Sequence, residues 1–128
     1  GETPLLIAAQ EGQNDMATLL LAHGAAVDAA DNDGATPLFA AASQGHNETA
    51  KLLLAHGAVV DAANNDGETP LLIAAQEGQN DMATLLLAHG AAVDAADNAG
   101  ETPLLIAAQE GQNDMATLLL AHGAAVDA

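Results

Sequence analysis

The string GETPLLIAAQEGQNDMATLLLAHGAAVDA, from Gly67 to Ala95, decides how this chain reads. It recurs letter for letter from Gly1 to Ala29 and again from Gly100 to Ala128. A divergent copy, GATPLFAAASQGHNETAKLLLAHGAVVDA, fills Gly34 to Ala62. Gly1, Gly34, Gly67 and Gly100 stand 33 residues apart, so the period is strict. A fixed period of this length is the mark of a stacked solenoid, in which each unit touches only its neighbours. The chain is thus expected to form one domain of four units, residues 1–33, 34–66, 67–99 and 100–128.

Within one copy the punctuation gives two short helices. Thr3-Pro4 is a helix start: the threonine hydroxyl can cap the first turn, and proline at the first helical position loses nothing by lacking an N–H. Gly12 then supplies the left-handed conformation that ends a helix. Asn14 and Asp15 offer a second N-terminus, with an acid at the positive end of the helix dipole. The helix expected from Met16 to His23 closes on His23 and Gly24. AAVDAADNDG follows as an extended link ending in turn chemistry at Asp31-Asn32-Asp33-Gly34. Helices this short are marginal alone in water, so Leu5, Ala8, Ala9, Met16, Leu19 and Leu20 need an adjacent unit to cover them.

Composition narrows the partners. Half of the residues are hydrophobic, yet Phe39 is the single aromatic, so the core must be built from Ala, Leu, Ile, Val and Met. Net charge is −17, and Lys51 is the only lysine or arginine. Such a surface repels phosphates and anionic headgroups, which argues against nucleic acid and membrane partners and would steer a basic protein inward. Without cysteine there is no disulfide framework and no thiolate metal site. No apolar run approaches a membrane span. No initiator methionine or leader peptide is recognisable, which fits a piece of a longer array and leaves localisation open.

Several residue clusters invite a chemical reading and lose it. His23, His56, His89 and His122 recur once per unit, but adjacent helices lie about 10 Å apart, too far for single histidines in a column to share a zinc ion. Asp31-Asn32-Asp33-Gly34 resembles a calcium loop, yet EF-hand spacing would put its first and last ligands at Ala29 and Ala40. Ser43 lies near His46 without an orienting acid in a fixed pocket, so no catalytic residue is assigned. Asn47-Glu48-Thr49 is formally a glycosylation acceptor and reads better as a helix start. Met16, Met82 and Met115 keep helical spacing with the leucines and read as core filling. No catalytic residue, metal ligand or cofactor is expected.

Asp31, Gly34, Thr36, Pro37, Leu38, Ala41 and Ala42, then Gly45-His46, then Leu52, Leu53, Leu54, Gly57 and Ala58 follow a pattern repeated in all four units. In this the chain resembles the ankyrin repeat family, whose pattern is D-x-x-G-x-T-P-L-H-x-A-A, G-H and L-L-L-x-x-G-A. The resemblance implies an all-α solenoid of helix-turn-helix units with projecting β-hairpin-like loops, and non-enzymatic protein binding. The family histidine after T-P-L is replaced by Leu6, Phe39, Leu72 and Leu105, so apolar packing must substitute for its hydrogen bonds. The family's asparagine after G-A-x-V is Asp28, Asp61, Asp94 and Asp127.

In that family the loop tips and first helices form the concave binding face. By position these are Asp31, Asn32, Asp33 and Ala35; Asn64, Asn65, Asp66 and Glu68; and Asp97, Asn98 and Glu101. The first helices add Ser43 and Gln44, Gln76 and Glu77, and Gln109 and Glu110. This face lacks the Trp, Tyr and Arg that anchor tight interfaces.

The first and third units differ only at Asp33 against Ala99, whereas the second differs from the first at 11 of 33 positions. Drift separates natural copies, so this identity points to engineered duplication and a scaffold without an evolved ligand. The alternatives are a natural module recognising a basic partner and a self-assembling element. Neither end carries a polar cap, so Leu5 and Ile7 are expected to be bare at one end and second-helix leucines at the other. Head-to-tail association through those ends follows as an expectation.

Overall fold

The computed structural model describes residues 1–127, and among them are eight helices and no strand. They are α1 (Pro4–Glu11), α2 (Asn14–Ala22), α3 (Pro37–Gln44), α4 (Asn47–Ala55), α5 (Pro70–Gln76), α6 (Asn80–Ala88), α7 (Pro103–Gln109) and α8 (Asn113–Ala121). Each odd helix packs against the even helix that follows it, and against the odd helices before and after. The even helices make a second row in the same order. The result is a two-layer stack of four helix pairs, an all-α solenoid. No helix among the described residues is long and apolar enough to cross a membrane.

The first helices start as the Thr-Pro pairs dictate. Thr3, Thr36, Thr69 and Thr102 each accept a hydrogen bond at Oγ1 from the backbone N–H three residues on, at 3.1–3.2 Å. Gly12 and Gly45 end α1 and α3 with φ of 69° and 73°, a conformation costly for any residue with a Cβ. A Cβ on Gly12 would in addition sit 2.7 Å from Nδ1 of His46, so the glycine is required twice over.

The second helices differ from expectation by one step. Their cap positions are Gln13, His46, Gln79 and Gln112, none with a side-chain capping bond, and Asn14 is already helical. Asn14 instead turns its Oδ1 to the neighbouring pair, where the buried Thr49 hydroxyl donates to it. A bond between helices thus replaces a bond within one.

The core runs through every pair. Ala9, Ala42, Ala75 and Ala107 in the first helices, and Ala17, Ala50 and Ala83 in the second, are sealed. Leu38, Leu53, Leu71, Leu86, Met82, Met115 and Leu119 fill the space around them. The alanines let backbones approach closely, and the leucines and methionines of adjacent pairs interdigitate.

One expectation about the ends is overturned. Leu5 is 2 % exposed, because its position looks toward the following pair: Leu38 and Leu71 are sealed, and Leu104, with no pair after it, is only partly covered. The N-terminal end instead lays bare Ile7, Met16 and Leu19, which look the other way. At the C-terminal end the bare residues are Leu105, Leu120 and Val126.

Candidate protein-interaction face

The links between pairs are closed loops with the shape of a hairpin. Asp31 donates its N–H to the Ala35 carbonyl and accepts from Gly34 at its own carbonyl, both at 3.0 Å. Its Oδ1 accepts the N–H groups of Asp33 and Ala35 at 2.9 Å. Asn64 does the same for Asp66 and Glu68 at 3.0 Å, and adds an Nδ2 bond to the Glu68 carboxylate at 2.9 Å. Asp97 holds Ala99 and Glu101 at 3.0 and 2.9 Å. At Asp31, Asn64 and Asp97 one side-chain oxygen is therefore spent on shaping the loop.

The loops are also joined to one another. Asn65 N–H donates to the Asp33 carbonyl, and Asn98 N–H to that of Asp66, at 2.9 Å. Their side-chain amides donate in parallel to the carbonyls of Asn32 and Asn65, also at 2.9 Å. Gly34 must be glycine for this: its φ is 80°, and a Cβ would fall 2.9 Å from the Asn65 nitrogen. The tips form a continuous ladder, from which the side chains of Asp33 and Asp66 project into solvent.

Beside the ladder, Gln44, Gln76 and Gln109 at the ends of the first helices and the cap residues Glu77 and Glu110 are exposed, while Ala35, Ser43, Glu68 and Glu101 are half-buried. Gln109 Nε2 donates to Glu101 at 3.2 Å. A hollow of about 170 Å³ opens between α1 and α3, and it brings together Asp31, Ala35, Ser43 and Gln44 with Glu2, Leu6, Gln10 and Phe39. Reading by position left Leu6 and Phe39 out of the face, while Glu2 and Gln10 fall in the columns where the family places its contacts. The signal was present, since Glu2 and Leu6 occupy the positions of Glu68 and Leu72 in an identical string. The remaining candidates of the later loops lie along the same side of the stack without converging on one hollow.

No lysine or arginine stands on this side. Lys51, on α4, pairs with Glu48 at 3.2 Å, and both are exposed. Such a pair contributes at most a few tenths of a kcal/mol, roughly 0.3–0.5 on a helix surface. The carboxylates of Glu2, Asp31, Asp33, Asp66, Glu68 and Glu77 thus have no lysine or arginine beside them, and the cation on this side is the Gly1 ammonium, which donates to Asn32 Oδ1 at 3.0 Å.

The histidines are occupied by backbone. His23, His56, His89 and His122 each set Nδ1 3.0 Å from the carbonyl oxygen of the leucine four residues earlier, so that nitrogen carries the proton. They bond carbonyls in the last turn of their helices. His46 crosses to the preceding pair, its Nε2 3.2 Å from the Gln10 carbonyl, and makes no bond to Ser43. The Ser43 carbonyl accepts from Gln79, whose Nε2 lies 3.4 Å away. Among the described residues no three His, Asp or Glu side chains come together as a metal-binding group.

A family model for ankyrin repeats in three copies matches residues 1–64 and 58–128. The chain belongs to the ankyrin repeat family. Ankyrin repeats are generally protein–protein interaction modules, and the family is typically non-enzymatic. No curated protein matches the chain.

Proposed function

We propose that this ankyrin repeat chain is a non-enzymatic scaffold for protein–protein contact. Its contact face is the loop ladder with the exposed ends of the first helices. The observation that carries this reading is the concentration of carboxylates on that side, with no lysine or arginine among them. The chemistry selects a basic protein segment as partner and disfavours nucleic acid and anionic membranes. The face repeats Asp, Asn, Glu and Gln from unit to unit and has no Trp, Tyr or Arg anchor. Together with three identical strings, this supports an engineered array that was never selected against one ligand.

A natural module recognising a basic partner is the second reading, and the Phe39 hollow favours it. A lysine or arginine side chain would lay its stem on Phe39 and Leu6 and its charge between Glu2 and Asp31. Calorimetric titration with a lysine-rich peptide at low and at physiological salt separates the two. The scaffold reading expects weak binding that fades as salt rises. A tight complex that survives salt and is lost in Phe39→Ala overturns it in favour of the second.

A further inference from the structure

We propose that the hollow between α1 and α3 is a subsite for one arginine side chain of a partner protein, and that the divergent second repeat creates it. The proposal rests on the reading of this side as a contact face, and it names the group which that face takes. The walls belong to two consecutive repeats, so the hollow is a feature of a junction within the chain.

The sequence of the second repeat opens it. Where α5 and α7 carry Ile73 and Ile106, both buried, α3 carries Ala40. Ala35 and Ser43 likewise replace the glutamate and glutamine of the identical units. Three long side chains are thus shortened around one point, and Ala35, Ala40 and Ser43 all line the resulting space of about 170 Å³. Phe39 goes the other way. It stands where Leu6 and Leu72 are 3 % and 1 % exposed, and its larger ring is only half-buried, on the wall of the hollow. With Gln44, five of the eleven positions at which the second repeat departs from the first line this hollow, so the divergence gathers at one concave point of the surface.

The lining suits a long cationic side chain. Leu6, Phe39 and Ala40 supply apolar wall, and Glu2, Asp31 and Ser43 supply acceptor oxygens. Asp31 Oδ1 accepts the N–H groups of Asp33 and Ala35 at 2.9 Å, which fixes the carboxylate. Its Oδ2 has no partner among the described residues. In the next loop the matching group is Asn64 Nδ2, and Glu68 satisfies it at 2.9 Å. Here the counterpart of Glu68 is Ala35, so Asp31 Oδ2 is open to a donor from outside. A guanidinium meets these groups better than an ammonium does. It stacks on an aromatic ring, donates in several directions at once and is more weakly hydrated. Its methylene stem covers Leu6 and Ala40 while the charged head stays at the rim.

The test is an NMR titration of the whole chain with the capped tripeptide acetyl-Gly-Arg-Gly-amide, read at the ring protons of Phe39, the only phenyl group in the sequence. Saturable shifts of that ring are expected. The lysine tripeptide should bind about two- to fivefold more weakly, the worth of an exposed cation–π contact, and the uncharged citrulline tripeptide should not bind. Ala40→Ile refills the hollow with the side chain of the identical units and leaves every charge in place, so it should abolish saturation without lowering the thermal midpoint. Asp31→Asn, which keeps an Oδ1 for the loop as Asn64 does, should weaken binding roughly tenfold, as for losing a hydrogen bond to a charged group. If Ala40→Ile does not fold, Phe39→Leu replaces it at unchanged charge, with an expected loss of about two- to fivefold. Equal affinity for the arginine and lysine tripeptides overturns the proposal, and so does undiminished binding by the folded Ala40→Ile or Phe39→Leu variant. An oligolysine peptide separates this subsite from the face around it. If that peptide moves the Asn65 and Asp66 amides while the arginine tripeptide leaves Phe39 unmoved, the subsite falls and the contact face stands. If neither peptide moves any signal on this side, both fall.

Discussion

Met16 and Met82 occupy the same place in two identical strings, yet Met16 is 50 % exposed and Met82 is fully sealed. Leu105 and Leu72 form the mirror case at the other end, 39 % against 1 %. Local sequence cannot account for either difference, because the residues on both sides are the same. What changes is whether a neighbouring repeat is present on the side toward which the residue looks. In this molecule burial belongs to junctions, and each helix pair has a backward face and a forward face that are distinct chemically and in shape.

The sharpest way to break that comparison is to truncate the two methionines in dilute solution. Met82→Ala is expected to cost roughly 2–5 kcal/mol, the range for emptying a sealed core position. Met16→Ala should cost well under about 1 kcal/mol, as expected for surface changes away from special features. Denaturant titration measures both, and equal losses would mean that the end repeat is covered or that the interior is loose.

Overfilling gives a smaller effect in the same direction. Ala75 is sealed and Ala108, its counterpart in the last repeat, is exposed. Ala75→Leu should destabilise by about 1–3 kcal/mol by pushing two repeats apart. Ala108→Leu should leave the midpoint nearly unmoved in the same thermal or denaturant scan, and a comparable loss there would contradict the assignment of forward faces.

The smallest contrast tests the aspartate column. Asp61→Ala removes the acceptor from the Ala92 N–H, a loss of about 0.5–1.5 kcal/mol for a bond of this kind. Asp127→Ala, in which no bond is lost within the chain, should change stability by no more than a few tenths, on the order of a surface substitution. Amide exchange at Ala92 is the local readout, and it should quicken in the first variant only.

Much of this architecture could be read from the letters. Thr-Pro and the glycines at the helix ends announce their own backbone geometry, and the period announces stacking. Which way each apolar side chain looks could not be read. In PLLIAAQE nearly every residue is apolar, so no stripe separates the forward side from the backward side, and of Leu5 and Ile7, both expected to be bare, only Ile7 is. Asn14 was misread for a related reason. An asparagine near a helix start usually caps it, and only the neighbouring helix, with Thr49 in reach, reveals the other use. Within the candidate face, Asp31, Asn64 and Asp97 carry the right chemistry to meet a partner, but the sequence does not say that the loop itself consumes part of it.

The Thr49 hydroxyl has one further implication, for shuffled arrays. Every repeat offers an asparagine at the position of Asn14, so the divergent unit finds its acceptor whichever copy precedes it. The reverse order is less favourable: Asn47 Oδ1 is buried without a hydrogen-bond partner, and the following unit has Met82, which has no donor, where Thr49 would stand. The units are therefore not freely interchangeable beads. Placed last in a rearranged string, the divergent one would keep its bond and return its orphaned oxygen to water, so arrangement alone, at constant composition, would tune the melting point.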